Sequence, residues 1–380
     1  MARNPFRSKV IATDAPFCNR LKELEYLTKS ALSGNNIVLI GPRRHGKTSL
    51  VKRVQKALEL QGVITLFADF NGVGSVDDVA AQLAKAVFEI TRKSNPLWKL
   101  AFETIKDFRP SAKFEFDQEG SLSVGVDFAQ VGKRGLDLLD DTLHAIGQFI
   151  SKSGSQGNIA LDEFQEITTL PDSLKIEGVL RRHIQHQPAS YFFIGSRRRL
   201  LQAMFTEQHR PFFQSARTLP LGPLPVEEME VFIVDLFTKG ARSCDIDQAA
   251  MIVNAISLAG GCHPYYTSQI AQSLFDMGGK ITEAKVNEAL ELLIGENKSF
   301  FEGLLQALTP AQKLLLKSLA KEPTGEVLAS HYVARWRIGS VGGIRNSLER
   351  LIDLDYVSRD QAGIIRVVDP LFAMWLSRRY

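Results

Sequence analysis

The chain of 380 residues is 44% hydrophobic and 23% charged, with Lys plus Arg at 46 against Asp plus Glu at 42. That composition excludes disordered, collagen-like and disulfide-scaffold classes, and the length predicts two or three domains of roughly 100–200 residues each. A formal charge of +4 is too small to require nucleic acid or a membrane surface as partner. The three cysteines, Cys18, Cys244 and Cys262, form no Cys-x-x-Cys pair, which argues against a zinc cluster and fits a reducing cytoplasm. No apolar run approaches the ~18 residues of a spanning helix, so a cytoplasmic protein without a membrane partner is expected.

In chain order, the first informative stretch is the apolar run Ile37-Val38-Leu39-Ile40, which ends abruptly in Gly41-Pro42-Arg43-Arg44-His45-Gly46-Lys47-Thr48. Apolar residues then recur at Leu50, Val51, Val54, Ala57 and Leu58, a helical period, so the segment reads as strand, turn, helix. A second strand is predicted over 63–70, carrying Asp69 near its end, and an amphipathic helix over 80–90. The segment 113–127 breaks the rhythm: Phe114 and Phe116 alternate with charges, Gln118-Glu119-Gly120 supplies a turn, and Leu122, Val124 and Val126 alternate again. It reads as an inserted β-hairpin whose acids outnumber Lys113, suited to packing or protein contact rather than nucleic acid.

A helix over 136–150 leads to a third buried strand, Ile159-Ala160-Leu161, that runs into Asp162-Glu163, and a fourth, Tyr191-Phe192-Phe193-Ile194, ends at Gly195-Ser196. Strands alternating with helices predict an α/β fold with a parallel sheet and ligands at the carboxyl ends of its strands. Three prolines and a glycine within Leu219-Pro220-Leu221-Gly222-Pro223-Leu224-Pro225 mark a domain boundary. Residues 227–297 then read as helical, interrupted at Gly260-Gly261-Cys262-His263-Pro264. From Thr309 the order is three helices (310–320, 327–336, 341–354), two short strands turning at 360–363 and a terminal helix, the pattern of a winged helix-turn-helix. The expected domains are therefore a core over 1–222, an all-helical lid over 223–303 and a winged helix over 304–380.

Gly41-x-x-x-x-Gly46-Lys47-Thr48 satisfies the phosphate-loop pattern and sits between strand and helix, the setting that gives the motif its meaning. Its glycines let backbone N–H groups wrap phosphate oxygens, and the helix N-terminus adds partial positive charge. Candidate nucleotide ligands are thus Gly41, Pro42, Arg43, Arg44, His45, Gly46, Lys47, Thr48 and Ser49. Lys47 is expected on the β- and γ-phosphates and Thr48 on Mg²⁺. The strand ending in Asp162-Glu163 supplies the second metal-organising carboxylate, Asp162, and a carboxylate, Glu163, to polarise an attacking water. Ser196, leaving the next strand, is a candidate sensor of the γ-phosphate. Between Arg181 and Pro220 lie seven arginines, no lysine and one acid, Glu207. Arginine suits forked phosphate recognition, in cis or across a subunit interface, and Arg197 and Arg217 are the favoured candidates. ATP and Mg²⁺ follow as the expected ligands.

These residues resemble the archaeal-type ATPases within the AAA+ and STAND group of P-loop NTPases. Phe17-Cys18-Asn19-Arg20-Leu21-Lys22-Glu23-Leu24 is similar to the group's opening motif, with Asn19 where a glycine is usual, and the resemblance places Arg20 at the nucleotide. The lid motif Gly-x-Pro resembles Gly261-Cys262-His263-Pro264, which implies His263 and Pro264 near the base or phosphates, although a histidine beside a proline equally suits a capped turn. Val368 to Leu376 looks like the C-terminal signature. The resemblance implies an ATPase whose nucleotide state moves the lid and winged helix, or a nucleotide-gated switch or replication-initiator-like DNA scaffold with very slow turnover.

The winged helix leaves its partner open. Its expected recognition helix, 341–354, carries Arg345, Asn346 and Arg350 but also Glu349 and Asp353, and acids on a docking face oppose phosphate contacts. The stretch from Leu305 to Tyr380 holds eleven basic and seven acidic residues. DNA, a protein partner and a homo-oligomer are each compatible with this pattern.

Overall fold

The computed structural model describes residues 4–6, 16–18, 20–92, 112–116, 122–126, 135–258, 261–360 and 362–379. Asn19, Gly260 and the expected hairpin turn at Gln118-Glu119-Gly120 lie outside the described residues. The chain divides into two compact units, one of Leu21–Gly41 and Lys47–Leu221, the other of Met1–Arg20, Pro42–Gly46 and Gly222–Tyr380.

The first unit is built on a parallel sheet. In chain order its elements are α1 (Leu21–Leu32), β1 (Ile37–Ile40), α2 (Lys47–Glu59), β2 (Ile64–Asp69), α3 (Val76–Arg92), the strands β3 (Ala112–Phe116) and β4 (Leu122–Val126), α4 (Leu136–Ser153), β5 (Gly157–Asp162), α5 (Ser173–Ile184), β6 (Ala189–Gly195), α6 (Arg198–Thr206) and β7 (Arg217–Pro220). Five strands stand in the order β2-β5-β6-β1-β7, every neighbouring pair parallel. Every residue of β1 and β5 is buried, which explains their continuous apolar runs: helices cover both faces of a parallel sheet. From β1 the chain crosses to β2 at the far edge, returns through β5 and β6, and reaches β7 on the other side of β1. The strand order therefore reverses beside β1, and such a reversal opens a crevice at the carboxyl ends. β3 and β4 pair antiparallel, Phe114 opposite Val124, as a separate two-stranded ribbon.

Four elements of this unit, α1, α5, α6 (Arg198–Thr206) and β7, are absent from the sequence reading. In α1, Leu21 is 69% exposed while Leu27 is fully buried, so apolar residues on both faces blur the period. The helix α5 follows a 3₁₀ turn (Phe164–Thr169) that masks its start. β7 has only four residues, Arg-Thr-Leu-Pro, mostly exposed; at a sheet edge a proline is tolerated, because its missing N–H faces outward. Leu219 and Pro220, read as linker, are thus strand residues, and the division between the units falls after Leu221.

The second unit begins its helical part with α7 (Val226–Lys239), α8 (Ile246–Asn254), the short pair β8 (Ser257–Leu258) and β9 (Gly261–Cys262), α9 (Pro264–Met277), α10 (Glu283–Glu296) and α11 (Lys298–Gln306). α12 (Pro310–Lys321), α13 (Ser330–Trp336), α14 (Val341–Asp353), β10 (Val357–Arg359), β11 (Ile365–Val367) and α15 (Pro370–Arg379) follow. Asp245 and Thr309 start α8 and α12 with capping boxes, each satisfying two orphan backbone donors. Gly261 cannot be replaced cheaply: at φ 148° a Cβ would lie 2.1 Å from the Leu224 carbonyl oxygen, to whose residue Cys262 is bridged. Helices α12 to α14 with the β10–β11 ribbon, Val357 opposite Val367, form a winged helix. Its core joins Leu315, Leu319, Ile344, Leu351, Leu371 and Leu376.

Candidate functional site

The loop after β1 is shaped by close approach. A Cβ on Gly41 would stand 2.5 Å from the Leu221 carbonyl oxygen, so only glycine lets the chain leave β1 at this point. Gly46 has φ 85° and Arg44 φ 63°; residues of this hand turn successive N–H groups inward, the geometry of an anion nest. α2 begins at Lys47, so the loop opens on a helix N-terminus and its dipole. Lys47 is buried, and its Nζ donates to the Gly41 carbonyl at 2.8 Å. Ser49 is buried one residue beyond Thr48.

The carboxylates stand at the same ends of neighbouring strands. One strand, β6, separates β1 from β5, a span of ~10 Å at the usual strand spacing. Thr48 bridges it: its Oγ1 donates to Asp162 Oδ2 at 2.7 Å. Burial chiefly pushes the Asp162 carboxyl above its ordinary pKa; the Thr48 hydrogen bond opposes this, and the charges of Glu163 and Asp69 reinforce it. Asp69 is aligned with Asp162 across β2 and β5. Glu163, at φ 49°, is turned toward the next strand, where its Oε2 accepts from Ser196 Oγ at 2.9 Å and from Gln165 Nε2 at 2.5 Å. Gly195 makes room for Gln165, since a Cβ there would lie 2.1 Å from Gln165 Oε1.

A hydroxyl sharing a hydrogen bond with one carboxylate suits Mg²⁺, which keeps several waters and binds through one or two carboxylates plus substrate phosphates. Among the described residues no group of three or more His, Cys, Asp or Glu is arranged to hold a metal ion.

The loop tip, Pro42–Gly46, groups with the second unit, and there it meets α9. The His45 and His263 rings meet edge to face with centroids 4.7 Å apart. His263 is the N-cap of α9, its Nδ1 accepting from the Tyr266 N–H at 3.4 Å, and Pro264 is the first helical residue. Burial, followed by His45 and Arg44, holds the His263 pKa well below the ordinary histidine value. The ring is therefore neutral at pH 7, with its proton on Nε2 while Nδ1 accepts. Arg44 rests on Tyr265 and donates from Nη1 to Tyr266 Oη at 3.0 Å. Arg20, buried and at φ 71°, donates from Nη2 to the Gly222 carbonyl at 2.5 Å. Arg43 is exposed.

Arg197 follows β6 at the loop end of the sheet and pairs with Glu166 at 3.6 Å. Arg217 does not join the site in its own chain: it starts β7 level with Ile37, the opposite end of β1 from the loop, because parallel pairing fixes which end of an edge strand reaches the crevice. Asp69, Gln165 and Tyr266 were not foreseen. Asp69 had a signal, an acid ending an apolar strand, but the adjacency of β2 and β5 is tertiary information; Gln165 and Tyr266 had none.

A family model described as a probable winged helix domain matches residues 299–378. No curated protein matches the sequence. Among solved structures, a Walker-type ATPase of Pyrococcus abyssi is similar with a TM-score of 0.70 at 16% identity, over 97% of this chain and 98% of that one. The Aeropyrum pernix ORC2 protein, solved with ADPNP and ADP, has a TM-score of 0.60 at 15% identity, over 99% and 97%. The Aeropyrum pernix ORC1 protein in complex with DNA has a TM-score of 0.50 at 16% identity, over 96% and 94%. The chain thus has the fold of AAA+ P-loop ATPases, closed by a C-terminal winged helix. Among the described residues no helix is long and apolar enough to cross a membrane.

Proposed function

We propose that this chain binds ATP with Mg²⁺ and hydrolyses it, using nucleotide state to rearrange its helical lid and winged helix. The observation that carries the reading is the 2.7 Å bond between Thr48 and Asp162, with Glu163 next in sequence and a nest-shaped loop opening on α2. In this reading the loop N–H groups and the Lys47 ammonium bind the phosphates, while Thr48 and Asp162 hold the metal. A Mg²⁺ ion held by Thr48 and Asp162 would supply positive charge to offset that developing on the transferred group. Glu163, once released from Ser196, orients the attacking water and takes its proton. In this reading Ser196 exchanges Glu163 for a phosphate oxygen, and Arg197 stabilises the transferred phosphoryl charge.

Phosphate release by purified protein tests this. Lys47→Ala should abolish nucleotide binding, and Glu163→Gln should bind ATP normally while turning over at least about a hundred-fold more slowly, as loss of a general base does. Unchanged release in both variants refutes hydrolysis at this site.

A second reading, a nucleotide-gated switch or replication-initiator-like DNA scaffold with very slow turnover, is favoured by the bonds that restrain Glu163: both Ser196 and Gln165 donate to its Oε2. The ORC1 fold likeness to a protein solved with DNA and the exposed Arg345, Asn346 and Arg350 of α14 support duplex DNA as its partner. Turnover measured alone and with duplex separates the readings. A scaffold binds ATP with negligible turnover and binds duplex with a steep salt dependence, whereas salt-insensitive DNA binding removes DNA as the ligand.

A further inference from the structure

Arg44 holds a left-handed backbone, φ 63°, at the tip of the phosphate loop. A bulky residue keeps that conformation only where its surroundings over-determine it. Here the surroundings are specific. The guanidinium carbon lies 4.5 Å from the centroid of the Tyr265 ring, and Nη1 donates to Tyr266 Oη at 3.0 Å. Tyr266 Oη then donates to Asp369 Oδ2 at 2.6 Å. A phenol can do both, since its oxygen accepts while its single hydrogen is given away. The result is a charge-compensated chain, guanidinium to phenol to carboxylate, running from the loop tip through α9 to the residue preceding α15, all within one compact unit.

The chain is more than a helix cap. Asp369 starts α15 with its other oxygen, Oδ1 accepting from the Phe372 N–H at 3.0 Å. Oδ2 is not needed for that cap, and it is the atom that holds Tyr266. Tyr266 is fully buried, and burial together with the Asp369 charge keeps its phenol protonated, so the donor persists at all ordinary pH. His45 against His263 gives the tip a second hold on the same helix.

We propose that Tyr266 and Asp369 are positioning residues for the phosphate loop: acting through Arg44, they hold the loop tip in its anion-cradling conformation, so the winged helix contributes to nucleotide affinity. This rests on the reading of the loop as a nucleotide site. Thermodynamic reciprocity then requires nucleotide at the loop to strengthen the Tyr266–Asp369 contact by the same factor, which gives the winged helix a direct readout of the nucleotide.

The test uses the full chain with Tyr266→Phe, which removes one oxygen and leaves the α15 cap untouched, together with Asp369→Asn, Arg44→Ala and the double variant Arg44→Ala/Tyr266→Phe. The first measurement is amide hydrogen exchange at residues 44–46 without nucleotide; the second is the Kd of a fluorescent ATP analogue. Tyr266→Phe and Asp369→Asn should each speed exchange at the tip and weaken binding roughly ten-fold, the usual worth of a hydrogen bond to a charged group. The double variant should bind no more weakly than Arg44→Ala alone, because the two act through one contact. Exchange at the tip unchanged in both single variants, or losses that add in the double variant, overturn the proposal. If the unaltered chain binds no ATP analogue, the nucleotide reading fails by itself, and the exchange measurement still decides whether Tyr266 and Asp369 position the loop.

Discussion

Asp162→Asn should make the nucleotide-free protein more stable and its response to Mg·ATP weaker. The carboxylate is buried beside Glu163 and aligned with Asp69 on the neighbouring strand, and all three influences disfavour its charge. Asparagine keeps an oxygen to accept from Thr48 and discards the charge. At ~5 Å between strand neighbours and an effective dielectric of about 20–80, one like-charge neighbour costs about 1–3 kcal/mol. Asp69 is exposed, so screening places the gain near the lower limit, about 1 kcal/mol. For a unit of this size that is a rise in Tm of about 2–4 °C. The assay is thermal unfolding in EDTA and again with saturating Mg·ATP. In EDTA the unaltered protein should also lose stability as pH rises through the raised Asp162 pKa, since the folded state there holds a proton the unfolded chain has released; Asp162→Asn should lack that component. With Mg·ATP the order should reverse. A variant less stable in EDTA, or one stabilised by Mg·ATP as much as the unaltered protein, would refute the reasoning.

Three further outcomes are expected. Glu177 is fully buried and paired with Arg210, its pKa raised to about 7 chiefly by burial; Arg210→Ala should cost only about 1 kcal/mol at pH 7, where the carboxyl takes up a proton instead of standing uncompensated, and progressively more as pH rises above that. In the unaltered protein the same group contributes stability that is complete below the ordinary glutamate range and is lost as pH rises through about 7, so Glu177→Gln should flatten denaturant midpoints between pH 5 and 8. Arg217→Ala should leave phosphate release within about two-fold, a change worth less than 0.5 kcal/mol in barrier, because the residue stands at the far end of β7 from the loop. A large loss would mean that Arg217 acts on another copy of the chain.

Some of this site is legible in the sequence. The glycine, lysine and threonine spacing from Gly41 to Thr48 carries its own geometry, since a tight turn between a strand and a helix needs those residue types in that order. Apolar runs such as 37–40 and 159–161 announce strands buried on both faces. Short or two-faced elements did not announce themselves: β7 is an exposed edge of four residues, and α1 presents Leu21 to solvent.

By itself the sequence determined the local chemistry: which segments are buried strands, where a loop can cradle an anion, and that a winged helix ends the chain. These depend on periodicity and turn residues, which act over a few positions. The tertiary structure alone decided which acids become neighbours, that Ser196 and Gln165 hold Glu163, that Arg217 stands away from the loop, and that Asp369 meets Tyr266, 103 positions away in sequence. Those facts follow from strand order and helix packing, where contact is set by burial of surfaces distant in sequence, and no local pattern encodes which two surfaces will meet.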